Sequence, residues 1–466
     1  MLENRKVIFD TGAERLSVKT TKGCPQGGVL SPLLWLLVID ELIQNLDDLG
    51  YEVQGYADDL IIMVRGKFDT TITDRMQLAL DISSDWCEEK GLSINPNKTT
   101  LVPFTRRRKL GLGALQLGQT TLTYSEEMRY FGVILDKTLT WNNHLSYITN
   151  KALRTTYACQ RMYGKTWGLR PKMTAWSYKT ITLPMITYAS LAWWPKVEQE
   201  RAQTILNKVY RVTCRGTTGA MNTCPKAALG LLTGLQPPHL AVMETAACAA
   251  LRLPNLHQLK KGNLTGHIKA LKLFWDSPCL KIPDKMGKKL AFTRHFNVVI
   301  KDGAEWEDNN IPNEVGSQLW YTDGSKMEDG SAGAGIVGPN FQKAVAMGKT
   351  ASIFQAEVHA IELCARECLR RGTSRAKLYI LSDSQAALKY LSGFSFQSKL
   401  VWECFQLMNS LSERNSVTLM WVPGHEGYEG NERADILAKR GACNLFIGPE
   451  PFCGANNSFK NEIIRN

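Results

Sequence analysis

The strongest constraint in this chain is a series of acidic residues spread over residues 317–443. Each sits at the end of a strand-like run or on an adjoining helix. Residues 319–322 form an aromatic, β-forming run that ends in Asp323-Gly324-Ser325. That is the pattern of a strand whose last side chain is a carboxylate at the edge of a sheet. Gly333, Gly335, Ile336 and Val337, then residues 343–347, predict two further antiparallel strands. Residues 351–370 place Ala356, Ala360, Leu363 and Cys364 at helical spacing, with Glu357 beside the stripe. Residues 377–381 predict a compact strand that Asp383 follows, and Ser384 opens a new helix. A last strand over 417–422 leads into the loop 423–427, which holds His425, and then into a helix carrying Asn431 and Asp435. Taken singly, each feature is ordinary: a turn, a solvated glutamate, a helix cap, a surface histidine. In combination they demand a counter-charge, because carboxylates massed without lysine partners repel one another. Hard divalent cations with oxygen ligands supply it. Two such ions about 3.5–4 Å apart activate a water and stabilise the leaving oxygen of a phosphodiester.

The rest of the chain agrees with a polyanion partner. Residues 101–300 hold 29 Lys and Arg against 8 Asp and Glu, within a chain whose net charge is +12. A cationic middle between acidic or neutral flanks points to nucleic acid. At roughly 100–200 residues per domain, 466 residues predict two to four domains. None of the 12 cysteines forms a C-x-x-C pair, so no zinc ribbon is visible, and the thiols read as reduced in an intracellular protein. Residues 1–22 carry no secretory signal. The longest apolar stretch, 29–39, is interrupted by Ser31-Pro32 and is too short to span a bilayer, so no membrane role is expected. Between nucleus and cytoplasmic ribonucleoprotein the sequence does not choose.

The front of the chain carries a second pair of acids. Val53 to Val64 predicts two strands around a tight turn that displays Asp58 and Asp59. Upstream lies Gly23-Cys24-Pro25-Gln26-Gly27-Gly28, whose glycines let a backbone approach a ligand closely. Downstream lie Gly91-Leu92-Ser93-Ile94-Asn95-Pro96-Asn97-Lys98 and Tyr130-Phe131-Gly132-Val133-Ile134-Leu135-Asp136. All four, in this order, resemble a reverse transcriptase of a non-LTR retrotransposon. Leu139-Thr140-Trp141 and His144 are similar to that group's entry to the thumb. The resemblance implies a polymerase remnant at Asp58, Asp59, Gln26, Gly27 and Lys98. It also implies a basic thumb in which Lys151, Arg154, Arg161, Lys165 and Arg170 track phosphates. Polymerases of this kind need a third aspartate on a strand well before the Gln-Gly loop. Only 15 residues separate Asp10 from Gln26, so the expectation is a palm truncated before its first aspartate motif, without polymerase activity. Leu33, Leu34, Leu36 and Leu37 would then be poorly covered.

The C-terminal series Thr322-Asp323-Gly324-Ser325, Gln355-Ala356-Glu357, Ser382-Asp383-Ser384 and Gly424-His425-Glu426-Gly427 through Gly430-Asn431 to Asp435 resembles type 1 ribonuclease H in order and spacing. By that resemblance, Asp323, Glu357, Asp383 and Asp435 bind two Mg2+ ions, with Mn2+ as a substitute. His425 assists proton transfer or product release, and Gly324, Ser325 and Asn431 touch an RNA–DNA hybrid. The implied activity is hydrolysis of the RNA strand, with RNA and DNA as partners. The rival reading is a non-catalytic nucleic-acid-binding remnant of a mobile element. The expected architecture is α/β. It comprises an α+β palm remnant over 1–141, a helical and basic thumb or connection over 142–300, and a linker over 301–316. A ribonuclease H-like mixed five-stranded sheet with helices follows over 317–443, then a tail over 444–466.

Overall fold

The computed structural model describes residues 5–10, 15–20, 23, 27–162, 170–251, 283–300, 316–424, 426–450 and 452–465. The chain divides into two compact units, residues 1–147 and 148–466.

The first unit is built from hairpins and long helices. β1 (Arg5–Asp10) pairs antiparallel with β2 (Arg15–Thr20). α1 (Ser31–Asp48) starts at Pro32, whose missing N–H and fixed φ suit a first helical turn. Its Ile39, Leu42 and Leu46, spaced three and four apart, are buried with Tyr51, Ala79 and Trp86. The opposite face of α1 leaves Leu33, Leu36 and Leu37 more than half exposed, as expected from the sequence. β3 (Glu52–Tyr56) and β4 (Asp59–Met63) form the predicted hairpin, closed by Ala57 in the left-handed region. α2 (Asp69–Glu89) covers β5 (Leu115–Leu117) and β6 (Thr120–Leu122) through Leu80. β7 (Glu127–Tyr130) and β8 (Val133–Asp136) lead into α3 (Asn142–Gln160), within which the division between the units falls.

The turn before α3 has one organising residue. The buried Asp136 accepts hydrogen bonds from the backbone N–H groups of Thr138, Thr140 and Trp141 and from both threonine hydroxyls. Burial would raise its carboxyl, but these bonds outweigh burial and hold it below the usual carboxylate range. His144 is buried beneath this turn, accepts from the Ile134 N–H, and is pushed down to about 4 by burial.

The second unit begins with helices: α4 (Pro171–Ser177), a π-helical turn over Tyr178–Thr182, α5 (Leu183–Thr187), α6 (Ser190–Trp193), α7 (Glu200–Thr218), α8 (Lys226–Thr233) and α9 (Pro238–Ala250). Trp193, Leu206, Val209, Val242 and Ala246 are buried among them. The expected helical character of 142–300 therefore holds for the described residues up to 251. It does not hold beyond: β9 (Lys285–Leu290) and β10 (Asn297–Val299) are strands, and Phe296 is buried in the core of the domain that follows. Of the predicted linker, residues 301–315 lie outside the described residues.

That domain is a six-stranded mixed sheet in the order β10-β16-β14-β11-β12-β13. β11 (Ser317–Lys326), β12 (Ala332–Gly338) and β13 (Phe341–Gly348) run antiparallel in sequence. β14 (Lys377–Ser382) is parallel to β11, and β16 (Ser416–Trp421) is parallel to β14. The five expected strands are all present, and β10 adds a sixth, parallel to β16. α10 (Ile353–Arg370) and α12 (Lys399–Ser412) bury Val358, Ile361, Cys364, Cys404, Phe405 and Met408 in the main core, with Trp320, Ile380 and Leu419 from the sheet. α11 (Gln385–Leu391) follows β14, and β15 (Ser395–Ser398) pairs with β9. α13 (Glu429–Cys443) lies across β11, β12 and β13. The tail, which carried no strong sequence pattern, forms α14 (Asn457–Arg465) and buries Ile464 with Ala247, Ala250 and Leu251 of the helical region.

Candidate metal centre

Alternation along β11 directs Asp323 and Gly324 to opposite faces of the sheet. Each face receives a helix at very short range. A Cβ on Gly324 would stand 2.4 Å from the Glu357 nitrogen, so only glycine lets α10 approach this closely. On the other face, Gly335 pairs in register with Asp323, and a Cβ there would meet the Ala434 carbonyl at 2.2 Å. The two bare positions bring Glu357 and α13, with Asp435, up to Asp323.

Asp383 arrives from the neighbouring strand. Asp383 lies just past the end of β14, whose Thr322↔Ser382 pairing sets it beside Asp323; β11 does not end at Asp323, as the sequence predicted, but runs on to Lys326 by pairing with β12. The loop is fixed locally. Ser382 Oγ accepts from the Ser384 N–H, Ser384 Oγ accepts from Ala387 N–H at the start of α11, and Trp421 Nε1 donates to the Asp383 carbonyl at 3.0 Å.

Asp323, Glu357 and Asp383 each offer a carboxylate oxygen, and these atoms all lie within 4.8 Å of one another. It is the only such group of three among the described residues. Asp323 and Glu357 are buried and Asp383 is half-buried. Burial, followed by the negative charges of Asp383 and Asp435, pushes Asp323 up to about 7. Burial, followed by Asp323 and Asp383, carries Glu357 well above the carboxylate range. Glu357 Oε2 is buried and has no hydrogen-bond partner among the described residues. Lys439 is engaged with Asp435 at 2.6 Å. Three converging carboxyl groups, one with an orphaned oxygen, fit a hard divalent cation bound through oxygen.

The remaining expected residues fall as follows. Asp435 is half-buried on α13. Its charge is felt by Asp323 and Glu357, but it stands outside the close group of three. Asn431 is buried and its Oδ1 has no partner among the described residues. Gly324 is buried and Ser325 half-buried on β11. His425 lies outside the described residues, as do Gln26 and Lys165. In the first unit, Asp58 and Asp59 are both exposed at the tip of their hairpin, and no group of three ligands forms there among the described residues. Gly27 is exposed with φ +81°. Lys98 is exposed at the end of a short turn over Pro96–Lys98, which the Asn95 side chain caps by accepting from Asn97 N–H. Tyr56, beside the aspartates, packs edge-on against Phe131 at 4.6 Å. Sequence reasoning passed over Gln355 as anything but part of a motif, and it missed Asp284 and Trp421 altogether. Ser352-x-x-Gln355, the spacing of a capping box, was the available signal for the first.

No helix among the described residues is long and apolar enough to cross a membrane. Residues 4–135 match the reverse transcriptase (RNA-dependent DNA polymerase) family, and residues 316–443 match RNase H. A protein of the type-1 retrotransposable element R1DM of Drosophila melanogaster is 25% identical over 243 residues, which cover 51% of this chain and 23% of that protein. The RNA-directed DNA polymerase of the mobile element jockey from Drosophila funebris is 29% identical over 219 residues, covering 44% of this chain and 23% of the relative. The matched stretch is thus about a quarter of the length of either relative. Among solved structures, RNase H1 of the halophilic archaeon Halobacterium salinarum is 22% identical with a TM-score of 0.24, covering 28% of this chain and all of that one. One chain thus joins a stretch similar to the reverse transcriptases, residues 4–135, and a stretch similar to RNase H, residues 316–443, and resembles proteins of retrotransposable elements.

Proposed function

We propose that the C-terminal domain is an endoribonuclease that hydrolyses the RNA strand of an RNA–DNA hybrid. The observation that carries this reading is the buried group Asp323, Glu357 and Asp383 with the orphaned Glu357 Oε2. These three, with Asp435 beside them, would hold two divalent cations, Mg2+ or Mn2+. When bound, such ions supply an activated water and charge stabilisation at the scissile phosphate. The chain's own part is positional. The closely packed sheet, α10 and α13 fix the carboxylates before any ion arrives. Asp323 must give up its proton for binding, because protonation near pH 7 competes with the cation. The buried Asn431, with Gly324 and Ser325, is suited to orient the hybrid, and His425 to assist proton transfer or product departure. The products would carry 5′-phosphate and 3′-hydroxyl ends. Recognition of RNA would rest on 2′-hydroxyls across a wide minor groove, which reads shape more than sequence.

The basic helical region is proposed as the part that grips the nucleic acid, with Lys151, Arg154, Arg161 and Arg170 on phosphates. Asp58 and Asp59 are proposed as two of the three carboxylates of a polymerase site. The test is cleavage of a labelled hybrid by the full chain, with single-stranded RNA and double-stranded DNA as controls, with and without Mg2+. Mg2+-dependent cutting of the hybrid alone is expected. Hybrid binding without cutting in Mg2+ or Mn2+ would replace this reading with that of a non-catalytic binder.

A further inference from the structure

The side chain two residues before Glu357 is buried and unusually well tied. Gln355 is 1% exposed. Its Oε1 accepts from the Ser352 N–H at 3.1 Å and from Asn456 Nδ2 at 3.1 Å, and its Nε2 donates to the Gly454 carbonyl at 3.0 Å. The partners at 454 and 456 belong to the tail, about a hundred residues away in sequence. Gln355 also hydrogen-bonds Asp284, a buried acid from the stretch that precedes β9. Asp284 in turn accepts from Ser398 Oγ at 2.7 Å and Leu400 N–H at 3.0 Å, while its own N–H donates to the Ala455 carbonyl at 3.2 Å. One node thus joins four distant pieces of chain: the approach to β9, the first turn of α10, the start of α12, and the tail. The far end of the tail, α14, is seated on α9 through Ile464.

This node stands at the point of α10 where small displacements matter most for the carboxylates. Ala356 and Glu357 are pressed against Gly324, whose backbone also hydrogen-bonds the Glu357 carboxyl, while Glu357 Oε2 has no partner among the described residues. A shift of the first turn of α10 moves the Glu357 carboxylate relative to Asp323 and Asp383, and metal centres tolerate only about 0.5 Å of such error. We propose that Gln355 is a positioning residue for the metal centre. Held by the tail at Gly454 and Asn456 and by Asp284, it sets where Glu357 presents its carboxylate. The inference rests on the reading of Asp323, Glu357 and Asp383 as cation ligands. It adds that ligand placement depends on a segment outside the matched domain, residues 454–456.

The test uses the full chain and two variants. Gln355→Met keeps the volume and removes every hydrogen bond. Asn456→Ala removes the bond to Gln355 together with the one that Asn456 Oδ1 accepts from Phe459 N–H at 2.8 Å, and leaves α10 untouched. Three quantities are read: Mn2+ affinity by electron paramagnetic resonance, the Mg2+ concentration giving half-maximal hybrid cleavage, and the KM for hybrid at saturating Mg2+. Loss of such outer partners weakens metal binding by about 10–100-fold. Gln355→Met is expected in that range, and Asn456→Ala lower in the same direction. In both, excess Mg2+ should restore the cleavage rate and the KM for hybrid should stay unchanged. Folded variants with parental Mn2+ affinity overturn the proposal. So does a loss of rate that excess Mg2+ does not restore. If Gln355→Met fails to fold, Asn456→Ala decides alone. Should the parent chain bind Mn2+ but cut no hybrid, the proposed activity falls while the Mn2+ measurement still decides the role of Gln355.

Discussion

The two acidic sites of this chain use the same residue types in opposite ways. Asp58 and Asp59 sit on a hairpin tip in water, where a carboxylate needs no partner. Asp323, Glu357 and Asp383 converge at the ends of parallel strands, and two of the three are buried. Like charges in a dry setting cost free energy unless a cation offsets them. The front pair is therefore uninformative by geometry alone, whereas the rear group carries a strong electrostatic demand. A pair of aspartates in sequence does not make a metal site; the scaffold that desolvates them does.

That contrast breaks or sharpens under four measurements. The largest effect is expected from Asp383→Asn, which should lower Mg2+-dependent hybrid cleavage by about 10²–10³-fold or more, on the scale seen when one stabilising group is removed from an active centre. Hybrid cleavage that survives this change would sink the contrast. Second, Gly335→Ala forces a Cβ against the Ala434 carbonyl, and the resulting overpacking should cost about 1–3 kcal/mol in denaturant unfolding. Unfolding of Gly335→Ala unchanged from the parent chain would be inconsistent with that packing.

Third comes pH. Asp323 and Glu357 have raised folded-state values, so the protein without metal is favoured at low pH, where both states are protonated. Stability should fall as pH rises from about 4 through the value of about 7 at Asp323. Mg2+ should reverse that loss at pH 8 and have little effect at pH 5, as read by thermal melting. Glu357→Gln should flatten the metal-free profile and abolish the response to Mg2+. A melting temperature that climbs with pH in the absence of metal would contradict the burial-driven shifts. The smallest effect is expected for Asp59→Asn. An exposed change of this kind usually stays within about 0.5 kcal/mol, and hybrid cleavage should be unaltered.

Most of the rear site was legible because its signals are local. An aromatic strand carrying Asp323, an amphipathic helix carrying Glu357, and Asp383 ahead of the Ser384 cap can each be read within a dozen residues, although β11 runs three residues past Asp323. Their order and spacing suffice for the five strands. What escaped is long-range. Residues 285–290, with three lysines, fall in the stretch expected to be helical and basic, yet they form β9 because Ser395–Ser398 lies alongside to pair with them. Asn297–Val299 is too short to announce itself, and only the open edge of β16 turns it into a strand. The tail is polar and rich in turn formers. It orders by hydrogen bonds to Gln355 and Asp284 and by scattered apolar contacts of Cys453, Ala455 and Ile464, none of which leaves a periodic trace. In the front unit the hairpin and α1 were readable. Of the four leucines of α1 expected to be poorly covered, Leu33, Leu36 and Leu37 are exposed and Leu34 is half-buried.

The three residues of β10 have a practical consequence. Without them the parallel sheet would end on β16, an apolar strand presenting unpaired N–H and C=O groups to any other chain. Open edges of that kind seed aggregation, and a very short closing strand is a recurrent natural guard against it. A domain cut out at residue 316, where the family match begins, would lose this guard together with Phe296 and Asp284. A piece starting at residue 283 keeps all three and should be the one that stays monodisperse in solution.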